Sequence, residues 1–302
     1  MTGKGGRGTV KTTTGAESRH ETRLPRWLHR PIRAGREMRE VERTLRERGL
    51  HTVCESAKCP NRMECFSRRT ATFMILGDVC TRRCAFCGVG KGEPRAVDGE
   101  EPARVAAAAA SLGLRHVVVT SVTRDDLPDG GASVFAATIR EIRARLPQST
   151  VEVLVPDFRG DEEALREVVA EKPNVLNHNL ETVKELYARV RPGADYRRSL
   201  RLLEAAKKMD GDMKTKSGLM VGLGETRKQL QAAFRDLSGV GCDMLTIGQY
   251  LRPGREQLKV ERFLSPQEFE ELGEEARKAG IPLVASAPFV RSSYRARELL
   301  LA

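Results

Sequence analysis

From residue 72 to about 285 the chain alternates short β-branched runs with longer helical patterns, and nothing interrupts the alternation. Residues 72–76 precede an alanine-rich helical stretch at 102–112, 116–120 precede 132–146, 150–155 precede 161–171, and 174–178 precede 196–209. Residues 217–221 then precede a helix from Glu225, and 244–248 precede 265–279, with 283–285 as a candidate extra strand. Consecutive parallel strands need a connection long enough to hold a helix, and that crossover is right-handed. Strands this apolar also need both faces covered. The pattern predicts an α/β fold, a partial (β/α)6 TIM-like barrel, with an open doubly wound sheet as the alternative. Barrels of this kind carry their chemistry where strands end and helices begin. Thr120-Ser121, Asn177-His178-Asn179, residues 222–225 and Gln249-Tyr250 are the polar clusters at those places.

A length of 302 residues suffices for one large core, and 40% hydrophobic with 31% charged residues is the balance of a soluble globular protein. The longest apolar run, 105–114, is too short to cross a bilayer, so no transmembrane segment is expected. The net charge is +11, but nine lysines and arginines against two acids in residues 1–36 place most of the surplus there. A basic face along the whole fold, as a nucleic-acid binder would need, is not evident. Residues 1–36 have no apolar stretch of the kind a secretory signal carries. Their arginine and threonine content resembles a mitochondrial transit peptide, which their glycines and acids weaken. They read as a disordered extension of a cytoplasmic protein, with the mitochondrial matrix as the alternative location.

Seven cysteines are present, and six of them, Cys54, Cys59, Cys65, Cys80, Cys84 and Cys87, fall within residues 54–87. In a reducing compartment a clustered set reads as metal binding rather than disulfides. Cys80, Cys84 and Cys87 form C-x3-C-x2-C directly after the first barrel strand, in TFMILGDVCTRRCAFCGV. Three thiolates on a tight loop can hold three irons of a 4Fe-4S cube and leave the fourth open to a substrate or cofactor. The alternative is structural zinc, but that metal takes four ligands, and no fourth Cys or His sits at a suitable spacing. Cys54, Cys59 and Cys65 form a second triplet, C-x4-C-x5-C, in HTVCESAKCPNRMECF. As a cluster site it needs a fourth ligand from elsewhere; its blander readings are an electron relay or a structural knot.

The first motif, with the aromatic Phe86 before its last cysteine, resembles the radical S-adenosylmethionine superfamily. That resemblance implies that the methionine amine and carboxylate chelate the open iron, and that the reduced cluster cleaves the sulfonium to a 5′-deoxyadenosyl radical. Such a radical is needed where a C–H bond offers no acidic proton to a base. Both triplets, with TSVTRDDLPDGGA, LVPDFRGD, NVLNHNLETV, VRPGADYRRSL, KSGLMVGLGET, TIGQYLRP and PFVRSSY, resemble the lipoyl synthase family over nearly the whole chain beyond residue 36.

This second resemblance implies two 4Fe-4S clusters and S-adenosylmethionine as cofactors. It implies that the auxiliary cluster takes a serine of Arg291-Ser292-Ser293-Tyr294 as its fourth ligand, with Ser293 expected and Ser292 the next choice. An alkoxide is a harder partner for iron than a thiolate, which suits a cluster that is opened and consumed. The family implies that this cluster's sulfur replaces hydrogens at C6 and C8 of an octanoyl chain on a carrier lysine. Implied partners are the octanoylated lipoyl domains of 2-oxoacid dehydrogenase E2 subunits or the glycine-cleavage H protein. An electron donor such as ferredoxin or flavodoxin and an iron-sulfur carrier that rebuilds the spent cluster complete the set, with no nucleic acid and no membrane. The chain departs from the family pattern at Arg62-Met63, where Ile-Gly is expected, at Phe66 in place of Trp, and in 257–263, which lacks a His and a Tyr.

Thr120 and Ser121 fall where the superfamily contacts the methionine amine, unless Asp125 and Asp126 simply cap a polar loop. Asn177, Asn179 and Glu181 suit hydrogen bonds to ribose or methionine, or equally the satisfaction of backbone groups. Gly218, Gly222 and Gly224 resemble the stretch that approaches adenine. Arg191 suits a carboxylate, or a loop held by a salt bridge. His116 and His178 read as barrel packing and Cys242 as an unliganded buried thiol. The expected segments are a basic arm at 1–36, a helix and auxiliary-cluster segment at 37–70, the barrel at 71–288 and a tail at 289–302. Two rival readings are another radical sulfur inserter such as biotin synthase, and a zinc module that touches nucleic acid through the arm.

Overall fold

The computed structural model describes residues 24–30, 35–68 and 70–302. Their main sheet has eight strands. On one edge β1 (His51–Thr52) runs antiparallel to β2 (Thr72–Ile75), pairing Thr52 with Phe73. Every later pairing is parallel, through β3 (His116–Ser121), β4 (Thr150–Leu154), β5 (Val175–Asn177), β6 (Lys214–Val221), β7 (Met244–Gln249) and β8 (Leu283–Ser286). Spatial order follows chain order with no reversal. A doubly wound sheet requires such a reversal, so that alternative fails and the partial barrel stands. The candidate extra strand is β8, in register with β7 from Leu283–Met244 to Ser286–Ile247.

Helices connect the strands at the expected places. Helix Glu162–Ala170 starts at Asp161, whose side chain accepts from the N–H groups of Glu163 and Ala164. Thr226 and Ser265 open helices Arg227–Gly239 and Pro266–Lys278 with reciprocal capping boxes, each satisfying two backbone donors that the first turn leaves free.

Alternation along each strand sorts its residues between two environments. Val117, Val119, Val151, Val153 and Leu176 pack with Phe135, Ile139 and Leu165 of the helices in the main apolar cluster. The intervening positions, among them His116, Thr120, Glu152, Asn177 and Lys216, face the other way and are buried polar groups. β6 begins at Lys214, three positions before the apolar pattern starts, because Lys216 is a buried charge paired with Glu152 rather than a loop residue.

The reading of 1–36 as a disordered arm falls largely on residues outside the described set. Its described part lies against the fold: Trp27 Nε1 donates to Leu264 O at 3.0 Å and Leu28 is buried.

Candidate active site

Cys80 ends a two-residue strand, Val79–Cys80, that pairs in parallel with Gly90–Lys91, so the intervening cysteine loop is closed at its base. The Cys80 sulfur accepts N–H bonds from Arg82 at 3.4 Å and Thr123 at 3.3 Å. Such donors to the sulfur tune any cluster it holds. Phe86 packs on Val190, Leu223 and Tyr250, and Ala85 N–H donates to Val190 O at 2.9 Å, which fixes the loop's far side.

Arg82, inside the motif, clamps the loop to the strand ends. Its Nε and Nη2 reach Asp125 at 2.7 and 2.8 Å, and Nη2 also reaches Asp157 at 2.6 Å. Arg198 Nε holds the other Asp157 oxygen at 2.7 Å. Burial opposes the Asp157 charge, yet the two guanidinium groups hold its carboxyl well below the ordinary range. Neither Arg82 nor Asp157 was singled out by sequence, although both lie in motifs that carry the resemblance; their pairing joins positions far apart in the chain.

The strand-end residues differ in what they leave free. Thr120 Oγ1 donates to Leu154 O at 2.9 Å, so its hydrogen is committed within the sheet. Ser121 Oγ, Asn177 Oδ1, Asn179 Oδ1 and Arg191 Nε are buried without a partner. Arg191 Nη1 donates to Asn179 O, Leu180 O and Tyr187 Oη at 2.7, 3.2 and 2.9 Å, so it holds the loop through carbonyls and a phenol rather than a salt bridge. Glu181 takes a left-handed backbone, φ 65, yet bridges to Leu219 as a strand would. Burial pushes its carboxyl above the ordinary range despite Arg191 and the Asn179 amide. Gly218 is required by packing, since a Cβ would lie 2.7 Å from Asn179 Oδ1; at Gly222 it would strike Gln249 and the Arg262 carbonyl.

His178 is sealed behind this loop. Nδ1 lies 2.8 Å from Val155 O, which assigns it the proton, and Nε2 therefore accepts from Ser199 Oγ at 2.9 Å. Burial, with Arg191 and Arg82 nearby and against the pull of Asp157 and the Val155 carbonyl, lowers its pKa from 6.5 to about 4. The unfolded chain binds the extra proton between those values, so the stability from this neutral imidazole is full above pH 6.5 and lost as pH falls toward 4. Urea midpoints should decline through that window, and His178→Gln should flatten the decline; equal slopes in the two proteins would remove His178 as its cause. His116, hydrogen-bonded to Thr150 Oγ1 at 2.7 Å, and Cys242, buried with a thiol pushed up to about 12 by desolvation, are interior groups as expected.

The second triplet stands beside β1. Thr52 caps helix Val53–Ser56, which carries Cys54; Cys59 N–H donates to Cys54 O at 3.0 Å, and Cys65 lies on helix Arg62–Ser67. These three cysteines share a cavity with Asn61, Thr72, Arg291, Ser293 and Tyr294. Ser292, by contrast, accepts from Asn179 Nδ2 at 3.0 Å. Gly248 lets the tail reach this place, because a side chain there would collide with the Val290 carbonyl. Tyr294 Oη donates to Glu64 at 2.9 Å, and Asn61 Nδ2 donates to Phe289 O at 2.7 Å, binding tail to cysteine segment. Arg30 pairs with the same Glu64 and lies 4.0 Å over the Phe289 ring, a role for the arm's end that composition did not suggest. Desolvation pushes the Cys54, Cys65 and Cys87 thiols up to about 12, with neighbouring cysteines adding to the effect.

Buried sulfurs of this kind suit a cationic iron centre that replaces their protons. Among the described residues no three Cys, His, Asp or Glu side chains converge on a point that could hold a single metal ion. A 4Fe-4S cube asks each thiolate to reach a different iron. No helix among the described residues is long and apolar enough to cross a membrane.

Residues 74–237 match the profile of the radical SAM superfamily, and residues 7–59 that of the N-terminal domain of lipoyl synthase of the radical SAM family. The lipoyl synthase of Caldanaerobacter subterraneus subsp. tengcongensis is 57% identical over 274 residues, 91% of this chain and 96% of that protein. The lipoyl synthase of Methylococcus capsulatus is 57% identical over 275 residues, 91% of this chain and 85% of that one. Among solved structures, methylornithine synthase superposes with a TM-score of 0.54 at 17% identity, over 70% of this chain and 62% of its own. The FeFe-hydrogenase maturase of Carboxydothermus hydrogenoformans gives 0.53 at 13%, over 76% and 64%. Those two distant likenesses bear on the fold alone, and the fold agrees. With identity above half along nine-tenths of its length, this chain belongs to the lipoyl synthase family of radical S-adenosylmethionine enzymes.

Proposed function

We propose that the chain inserts sulfur at C6 and C8 of an octanoyl group carried on a protein lysine, and so makes the lipoyl cofactor. The observation that carries this reading is the cavity lined by Cys54, Cys59, Cys65 and Ser293, a second four-donor set apart from the superfamily's three-cysteine loop. In this reading Cys80, Cys84 and Cys87 hold the radical-generating 4Fe-4S cluster, and the four-donor set holds an auxiliary one. When bound, the first cluster with S-adenosylmethionine supplies a carbon-centred radical able to take hydrogen from an unactivated C–H bond, and the second supplies the sulfur. The protein's part is positioning. Arg82 and Phe86 keep the loop from shifting, and Ser121 Oγ, Asn179 Oδ1 and Arg191 Nε are the free polar atoms that would receive the amine, carboxylate and ribose. Ser293 rather than Ser292 is the serine ligand, supported by their different surroundings.

The segments follow: 37–70 and 289–302 build the auxiliary site on a barrel of 71–288. The substrate is an octanoylated lipoyl domain of an E2 subunit or the glycine-cleavage H protein, in the cytoplasm. A ferredoxin or flavodoxin supplies electrons, and an iron-sulfur carrier restores the consumed cluster. Anaerobic incubation with octanoyl-lysyl peptide, S-adenosylmethionine and dithionite should yield peptide with two sulfurs in place of two hydrogens, and two 5′-deoxyadenosines per product. Dethiobiotin should stay unchanged. Cleavage of S-adenosylmethionine with the octanoyl peptide left intact would sink the proposal.

A further inference from the structure

Ser292 and Ser293 are neighbours that face two different sites. Ser293 lines the auxiliary cavity, while the Ser292 hydroxyl rests on Asn179 at the end of β5. The Asn179 amide has no slack. Its two N–H hydrogens are committed, one to Ser292 and one to Glu181 Oε1, each at 3.0 Å. Its backbone carbonyl accepts from Arg191 at 2.7 Å, and the next N–H, of Leu180, donates to Ser217 Oγ at 3.2 Å. Opposite stands Gly218, where any side chain would strike the amide oxygen. That oxygen is buried and unpartnered, the one polar atom of the side chain left to meet a ligand.

We propose that Ser292 is a positioning residue that links occupancy of the S-adenosylmethionine site to the seating of Ser293 at the auxiliary site, through the Asn179 amide. The inference rests on the two-cluster reading above. A donor from the bound nucleotide or methionine, meeting Asn179 Oδ1, polarises the amide and strengthens its N–H bonds. Ser292 is then held more firmly, and Ser293 with it. Coupling between binding equilibria is reciprocal, so loss of the auxiliary cluster loosens the tail and weakens nucleotide binding.

S-adenosylhomocysteine is the probe, since it keeps the amine, carboxylate and ribose but has no sulfonium to cleave. Its affinity is measured by anaerobic equilibrium dialysis on the full reconstituted chain, in a two-cluster form and in a Cys65→Ala form lacking the auxiliary cluster. With Ser292 present the second form should bind roughly fivefold more weakly, the effect of about one hydrogen bond. In Ser292→Ala the two forms should bind alike, and Ser292→Thr, which keeps the hydroxyl, should restore the difference. Iron is counted in every variant. Wild-type protein with only one cluster's worth of iron would overturn the two-cluster reading itself. Two clusters with no difference in the wild type, or with the same difference persisting in Ser292→Ala, would overturn the link alone.

Discussion

Cys80→Ala should reduce 5′-deoxyadenosine formation by at least about a thousandfold, a modest part of what an enzyme of this kind supplies, and should lower iron from roughly eight to roughly four per chain. Cys65→Ala should lose the same amount of iron yet go on cleaving S-adenosylmethionine, while sulfur insertion stops. The asymmetry follows from how the two sites are built. Cys80 sits at the base of a loop clamped by Arg82 to Asp125 and Asp157 and closed by the Val79–Cys80 ladder. Cys65 lies on a separate short helix beside β1, tied to the tail through Glu64 and Asn61. Removing one sulfur therefore leaves the other loop's supports untouched. Chromatography of the nucleoside and mass spectrometry of the peptide read the two activities separately. Lipoyl product at wild-type yield from Cys65→Ala, or continued cleavage by Cys80→Ala, would show that the donor sets are wrongly divided.

The parts legible in the sequence are those that local pattern decides. β-branched runs such as His116–Ser121 stand out because both faces of that strand are buried, and the cysteine triplets stand out because their spacing is their chemistry. β1 was not read because two residues carry no period, and its pairing with Phe73 and Met74 is the only thing that makes it a strand. The start of β6 was hidden because Lys214 and Lys216 look like loop residues until the topology sets Glu152 opposite Lys216. The preference for Ser293 over Ser292 rests on the family resemblance, and no local pattern separates the two serines. Their difference comes from a turn at 292–295, closed by Tyr294 N–H on the Arg291 carbonyl, in a tail whose course depends on Gly248, far away in the chain. The same holds for Arg82 with Asp157 and for Arg30 with Glu64: each residue is unremarkable alone, and the partner is chosen by the fold.

Lys216→Met should lower the thermal midpoint by on the order of 10 °C, because it strands a carboxylate inside the sheet. Lys216 Nζ lies 2.8 Å from Glu152 Oε1, and both side chains have 0% exposure. Asn177 Nδ2 donates to the same oxygen at 3.2 Å, and His116 Nε2 lies 3.4 Å from the other. Burial penalises the Glu152 charge, but Lys216 and His116 outweigh it and hold the carboxyl below its ordinary range. Removing one partner of such a buried pair costs about 3–5 kcal/mol, since the desolvated charge remains without compensation. For a chain of this size each kcal/mol moves the midpoint by roughly 2–4 °C, which gives the expected shift. Replacing both partners, as Glu152→Gln with Lys216→Met, should recover most of the loss, because a neutral amide can still meet Asn177 and His116. Glu152→Leu with Lys216→Met should recover less, leaving the Asn177 amide without its acceptor. Melting curves of the wild type, Lys216→Met, Glu152→Gln and their double variant form a double-mutant cycle. If the double variant with Gln were as unstable as the sum of its singles, the two charges would be independent, and the interior of the barrel would owe its stability to the apolar layers alone.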